Sequence, residues 1–135
     1  MLHIGIDTGV HTGIAYWNDK DKCFDLIKTV KLHQAMEMII GLVKHRTDIK
    51  IRFEDARQRK WFGSAGREQL QGAGSIKRDC GIWEDFLKDL DVEFEMVAPK
   101  HNTTKLDEKM FEKITGYKGR TSEHSRDAAM LVFGY

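Results

Sequence analysis

Two short apolar segments of this sequence each end on an acidic residue, and this feature constrains the fold more than any other. The first runs over Leu2–Asp7 and the second over Ile49–Glu54, with apolar side chains at every second position. Such alternation predicts β-strands with one buried face. Ligands gather at the carboxyl ends of strands in α/β sheets. If the two strands are parallel neighbours, Asp7 and Glu54 therefore arrive at the same edge.

The rest of the chain predicts a mixed sheet with helices on it. Hydrophobic periodicity and turn residues predict further strands over 13–17, roughly 23–30 and 92–96, and helices over 32–43, about 74–87, from Thr103 or Thr104 to about 114, and 123–133. Within the irregular stretch 56–73, the first half is predicted to be a mobile basic loop and the second half to enter a helix. An antiparallel meander followed by β-α-β crossovers gives an α/β fold, a five-stranded mixed sheet flanked by helices, in one domain over 1–135.

Four side chains form the candidate metal site. His124 and Asp127 are three residues apart on a predicted helix and project from one face, so they can join Asp7 and Glu54. Three carboxylates and one imidazole suit Mg²⁺ or Mn²⁺. Strand-end acids can also simply solvate a loop, and His124 with Asp127 could be a surface pair. Clustered carboxylates, however, repel each other unless a cation or proton compensates. Asp55 is predicted to point to the opposite face of the strand from Glu54.

The net charge of +1 hides an uneven distribution of charge. Two segments are basic, 57–78 with only Glu68 as an acid and 100–120 with three acids; their cations are Arg57, Arg59, Lys60, Arg67, Lys77 and Arg78 in the first, and Lys100, Lys105, Lys109, Lys113, Lys118 and Arg120 in the second. A basic rim around an acidic centre suits a phosphodiester held for cleavage. Two ordinary solvated faces would give the same pattern.

Three motifs resemble those of RuvC-type Holliday junction resolvases, over nearly the whole chain. The segment 4–9 (IGIDTG) followed by 12–15 (TGIA) is similar to the family's first hairpin, Phe53-Glu54 matches its second acidic position, and 124–129 (HSRDAA) resembles its C-terminal motif. The helix after 71–74 (QGAG) is similar to the family's glycine-containing long helix. The resemblance implies a ribonuclease H-like fold and a nuclease that resolves four-way DNA junctions.

The resemblance also implies a reaction and an assembly. Two Mg²⁺ or Mn²⁺ ions per active site, held by the four candidate ligands, would hydrolyse the phosphodiester. Lys100 and Lys105 fall near the positions where the family places lysines close to the scissile phosphate. A twofold pair of sites would nick the two symmetric strands of a junction, which implies a homodimer through the 74–87 helix, with Ile76, Trp83 and Leu87 at the interface. The alternative is that this stripe faces only its own core, and both hold if the helix is apolar on more than one side, as Ile82 and Phe86 indicate.

The chain departs from the family's pattern around the second acid. Thr8 stands where many relatives have Pro, and Arg57 is nearest to the position where the family often carries an aromatic that stacks on DNA bases. Trp61 and Phe62 come later, and they could take the wedging role on a longer loop or belong to the core. The basic residues of 57–78 are expected to contact DNA with them. The short length suggests a phage or prophage version.

Other functions and the compartment follow from the same residues. A ribonuclease H, a flap or general branched-DNA nuclease, and a non-catalytic junction-binding protein would share the fold. An actin-like phosphotransferase would need two such domains, and 135 residues accommodate one. No signal peptide or membrane span is recognisable, and Cys23 and Cys80 match no metal or redox spacing. We expect a cytoplasmic protein that has two buried or half-buried thiols and does not associate with membranes.

Overall fold

A computed structural model describes residues 1–58 and 67–135 of the chain, with the backbone alone for 67–73 and 76. The strands are β1 (Leu2–Asp7), β2 (His11–Asn18), β3 (Cys23–Lys31), β4 (Ile49–Glu54) and β5 (Glu93–Val97). The helices are α1 (Leu32–Val43), α2 (Arg67–Asp89), α3 (Glu108–Thr115) and α4 (Glu123–Met130). Short 3₁₀ turns follow β4 at Ala56–Gln58 and β5 at Pro99–His101.

The five strands form one mixed sheet in the order β3-β2-β1-β4-β5. The first three strands pair as an antiparallel meander, whereas β4 pairs in parallel with both β1 and β5. The predicted α/β architecture is therefore confirmed. Ile6 pairs with Phe53 in the β1–β4 register, so the next residues, Asp7 and Glu54, leave the sheet side by side.

Helices cover both faces of the sheet, because successive strand residues point to opposite sides. On one face, α1 and α2 enclose a large apolar core that includes Ile14 of β2 and Phe53 of β4. On the other face, α3 and α4 cover a smaller cluster that includes Ala15, the next residue along β2. No helix in the two described ranges is long and apolar enough to cross a membrane.

The long helix α2 packs against its own sheet. Trp83 and Leu87 are completely buried in the main core. They therefore face their own core and are not available to a partner subunit, so their predicted place at a dimer interface was wrong. On the same helix Ile82 is exposed and Phe86 is partly buried. The side chain of Ile76 lies outside the described residues. Among the described side chains of this helix, Ile82 is an exposed apolar one that an interface could use.

The two cysteines lie in different environments. Cys80 is completely buried on α2, as expected, and its Sγ lies 3.6 Å from the Thr8 hydroxyl. Cys23 is exposed, so the expectation that it is buried or half-buried was wrong. The physical reason is its position, because Cys23 begins the edge strand β3 and no element covers it there.

The third helix begins later than the sequence pattern predicts. Its N-cap is Asp107, whose carboxylate accepts a 2.7 Å hydrogen bond from the Met110 N–H, and not Thr103 or Thr104. Gly116 ends the helix in the left-handed conformation. The last helix has Ser122 as its cap, and α4 ends at Met130, short of the predicted 133, because the chain then turns.

Replacing Asp107 with Ala is expected to lower the free energy of unfolding by about 1 kcal/mol, because the helix loses its N-terminal acceptor. Urea unfolding measures the effect. Thr103→Ala is the matched control, since Thr103 is exposed and caps nothing, and it should change stability by less than about 0.5 kcal/mol. A larger loss in Thr103→Ala than in Asp107→Ala would contradict the assignment of the cap.

Candidate functional site

Asp7 and Glu54 meet at the edge of the sheet where β1 and β4 end. Glu54 is buried, and the Asp7 side chain is 14% exposed. The pKa of Asp7 is raised to about 7, mainly by burial; a hydrogen bond with His124 lowers it, and the negative charges of Glu54 and Asp127 raise it. The carboxylates are therefore close enough to repel each other in a site partly removed from water.

The helix α4 brings His124 and Asp127 to the same edge. His124 Nδ1 lies 2.9 Å from Asp7 Oδ2, although the two residues are 117 positions apart in the chain. The Asp127 carboxyl also has a raised pKa, first because it is buried and then because of the negative charges of Glu54 and Glu123. All four candidate ligands predicted from the sequence are thus brought together, and their role as metal ligands remains a prediction.

Two glycines allow the backbone of α4 to pack closely against β1 and β2. A Cβ atom added to Gly13 would lie 2.0 Å from the carbonyl oxygen of His124, and one added to Gly5 would lie 2.0 Å from that of Ala128. Both contacts are with helix backbone, which cannot turn aside as a flexible side chain can. Gly5 and Gly13 lie within β1 and β2, so the absence of side chains there sets the height of α4 above the sheet.

The segment before α3 is fastened to the site by its backbone. The Lys105 N–H donates a 2.9 Å hydrogen bond to Asp127 Oδ1, and Arg126 Nε donates one of 2.7 Å to the Leu106 carbonyl. Lys105 adopts a positive φ of 59°, which is uncommon for a residue other than glycine. The side chains of Lys100 and Lys105 are exposed, and their predicted contact with a phosphate remains a prediction.

Asn102 belongs to the site, and sequence reasoning missed it. Its side-chain Nδ2 donates to Glu54 Oε2 and to the backbone carbonyl of Asp127, both at 3.1 Å. An Asn in a polar loop is too common to attract attention in a sequence. Only its place five residues beyond the end of β5, the strand beside Glu54, could have suggested its role.

Asp55 has a structural role, as the alternation of the strand predicts. Its buried carboxylate accepts hydrogen bonds from Arg57 Nε at 2.7 Å and from Gln58 at 3.3 Å, and Arg57 also reaches Glu84 at 3.2 Å. Burial alone would raise the pKa of Asp55, but the hydrogen bonds and the charge of Arg57 outweigh it and lower that pKa. Arg57 is therefore engaged by two carboxylates, and its predicted contact with DNA remains a prediction.

Four of the eight residues predicted to contact DNA lie outside the described residues, and Arg67 is described by its backbone alone. Lys77 and Arg78 are exposed on α2, and Arg67 begins that helix. Four others, Arg59, Lys60, Trp61 and Phe62, lie outside the described residues. Their contact with nucleic acid, and the choice between a base wedge and a core position for the two aromatics, remain predictions.

The donor set fits a hard divalent cation in its chemistry. It combines carboxylate oxygens with one imidazole, and the mutual repulsion at Asp7 would be relieved by a cation. As the side chains stand, no group of three or more His, Cys, Asp or Glu residues in the described part of the chain is placed to hold one ion. His124 and Asp7 are instead hydrogen-bonded to each other, with 2.9 Å between Nδ1 and Oδ2.

Comparison with known proteins identifies the fold. No protein-family model matches the chain, and no curated protein matches its sequence. Among solved structures, T. thermophilus RuvC in complex with a Holliday junction substrate superposes with a TM-score of 0.62, covering 97% of this chain and 90% of that one at 14% identity. The chain has the RuvC-like, ribonuclease H-like fold. At this identity the likeness shows the fold alone, so the activity has to be argued from the site.

Proposed function

We propose that this protein is a divalent-cation-dependent endonuclease that cuts branched DNA, and that its substrate is the four-way junction. The observation that carries the proposal is the meeting of Asp7, Glu54, His124 and Asp127 at one edge of a RuvC-like fold. The solved neighbour with this fold is bound to a Holliday junction substrate, which supports the choice of DNA.

The four side chains would hold the cations. Asp7 interacts with His124 and with both of the other carboxylates, which makes it the candidate that would hold both ions. The His124 side chain is 51% exposed, so it can rotate from its hydrogen bond with Asp7 and offer a nitrogen to an ion. Two bound Mg²⁺ or Mn²⁺ ions would supply an activated water nucleophile and stabilise the departing 3′ oxygen.

Cations on the surface would hold the nucleic acid. Lys77 and Arg78 are exposed on α2, and Lys100 and Lys105 are exposed on the segment that follows β5. Phosphate contacts of this kind provide affinity without reading the sequence, and they weaken as salt rises. Two symmetric cuts in a junction would require a homodimer, for which the exposed Ile82 on α2 is the described candidate contact.

The test is a cleavage assay with a labelled four-way junction, a matched linear duplex and an RNA–DNA hybrid, each with Mg²⁺, with Mn²⁺ and with chelator. We expect paired, symmetric nicks in the junction, no cutting in chelator, and no cutting by Asp7→Asn. Cutting of the hybrid alone would replace the proposal with a ribonuclease H activity. Tight junction binding without any cleavage would indicate a binding protein and overturn the catalytic assignment.

A further inference from the structure

We infer that Asn102 is a positioning residue of this site, one that holds the Glu54 carboxylate in place for a divalent cation. The inference rests on the proposed function in so far as it takes Glu54 to be a cation ligand. Nothing in the sequence motifs points to Asn102, whereas its hydrogen bonds, its burial and the elements that deliver it do.

The carboxamide of Asn102 joins two elements of the site. Its Nδ2 donates to Glu54 Oε2 at the end of β4 and to the Asp127 carbonyl on α4, both at 3.1 Å. Both partners are acceptors, so only the NH₂ group can face them, and this settles which end of the amide points where. One side chain therefore fixes the Glu54 carboxylate relative to the helix that carries Asp127.

The backbone around Asn102 is itself constrained. Val97, the last residue of β5, pairs with Glu54 on the neighbouring strand. The chain then makes a 3₁₀ turn that begins with Pro99, and the Asn102 N–H donates to the Pro99 carbonyl at 3.1 Å. The proline ring fixes φ at the start of this turn. Asn102 is thus delivered to Glu54 by a short and stiff connection from the adjacent strand.

The other end of the carboxamide is an acceptor without a donor. Asn102 Oδ1 is buried, and no hydrogen-bond donor among the described residues reaches it. Buried polar atoms are generally paired, and an exception beside a cluster of carboxylates indicates a partner that arrives with a ligand. A hydrated cation carries such donors, whereas a purely structural brace between two elements would not need this oxygen.

The variants Asn102→Ala and Asn102→Leu test the inference in the full-length protein. Both remove the amide, and Asn102→Leu keeps the number and branching of the side-chain heavy atoms, so a shared effect comes from the lost hydrogen bonds. Thr103→Ala is the matched control, since Thr103 is the exposed next residue. Mn²⁺ affinity is measured by calorimetry, thermal unfolding in chelator reports folding, and junction cleavage is followed over a range of Mn²⁺ concentrations.

We expect the Mn²⁺ dissociation constant to rise about 10- to 100-fold in both variants and to stay unchanged in Thr103→Ala, because outer-shell partners contribute this much to metal sites. Cleavage should recover in the variants when Mn²⁺ is raised in proportion. A purely structural brace would instead lower the unfolding temperature in chelator and leave Mn²⁺ affinity unchanged, and that result would overturn the inference.

The outcomes separate this inference from the proposed function. If the wild type binds Mn²⁺ and cuts no nucleic acid, while Asn102→Ala binds Mn²⁺ weakly, the nuclease proposal fails and the inference holds. If the wild type cuts junctions and both variants bind Mn²⁺ as tightly as it does, the inference fails and the nuclease stands. If the wild type does not bind Mn²⁺, both are wrong.

Discussion

Asp7→Asn is expected to abolish cleavage and, at the same time, to make the cation-free protein more stable at pH 8. The activity falls because the amide is a poorer cation ligand than the carboxylate at the centre of the cluster. The stability rises because burial, together with the charges of Glu54 and Asp127, raises the pKa of Asp7 to about 7. Ionising Asp7 in the folded protein therefore costs free energy. The Asn side chain does not ionise, so the variant avoids this cost.

The pH dependence of this effect has a definite sign. The pKa of Asp7 is higher in the folded protein than its ordinary value of 3.8, so between about pH 4 and pH 7 the folded state binds more protons than the unfolded state. Stability falls across this window as pH rises. Since one pKa unit corresponds to about 1.4 kcal/mol, we expect Asp7→Asn to exceed the wild type by about 2–4 kcal/mol at pH 8 and by almost nothing at pH 4.

Urea unfolding in chelator at the two pH values measures this difference. Asp55→Asn is the matched control, because Asp55 is a second buried carboxylate and directly follows Glu54 at the end of β4. The pKa of Asp55 is lowered, so its charge is stabilising, and loss of its pairing with Arg57 should reduce stability at pH 8. A loss of stability in Asp7→Asn at pH 8 would show that burial and the charges of Glu54 and Asp127 do not destabilise the ionised Asp7 carboxylate.

Gly13→Ala is expected to destabilise the protein by about 3 kcal/mol or more and to remove cleavage. The added Cβ would lie 2.0 Å from the His124 carbonyl oxygen, and neither the strand nor the helix backbone can give way locally. Overpacking against rigid groups reaches or exceeds this size. In a domain of this length the change corresponds to a fall in melting temperature of about 10 °C.

The comparison with Gly41→Ala makes this experiment specific. Gly41 lies in α1 with nothing within 4 Å of an added Cβ, so the substitution should raise stability by about 0.5–1 kcal/mol through the better helix propensity of Ala. Thermal and urea unfolding measure both variants. A Gly13→Ala protein as stable as the wild type would show that α4 does not rest on β2 as described.

Features governed by local periodicity were predicted well from the sequence. The helix Leu32–Val43 has the predicted bounds because its apolar residues follow a helical period without interruption. Parallel pairing of β1 with β4 was the condition stated for the site, and the structure has this pairing, which places Asp7 beside Glu54. The meeting of the four candidate ligands could therefore be anticipated before any coordinates were known.

Features governed by tertiary contacts were not predicted. Thr103 and Thr104 are acceptable caps in isolation, but the chain after them is held to α4 through Lys105 and Arg126, so α3 can begin only at Asp107. Asn102, an ordinary residue of a polar loop in the sequence, is likewise brought to the site only by tertiary contacts with Glu54 and Asp127. The second strand was predicted to begin at Gly13, whereas β2 begins at His11, and Gly13 matters because a helix packs on it.

The distance along the chain between Asp7 and His124 has a consequence for biosynthesis. The first candidate ligand leaves the ribosome 117 residues before its partner on α4, and domains in general fold as units during or after synthesis. Until α4 has emerged and docked on Gly5 and Gly13, a nascent chain carries Asp7 and Glu54 without the other two ligands. Under the proposed function, such an intermediate would lack a complete site, so the order of the elements would delay activity until the fold is finished.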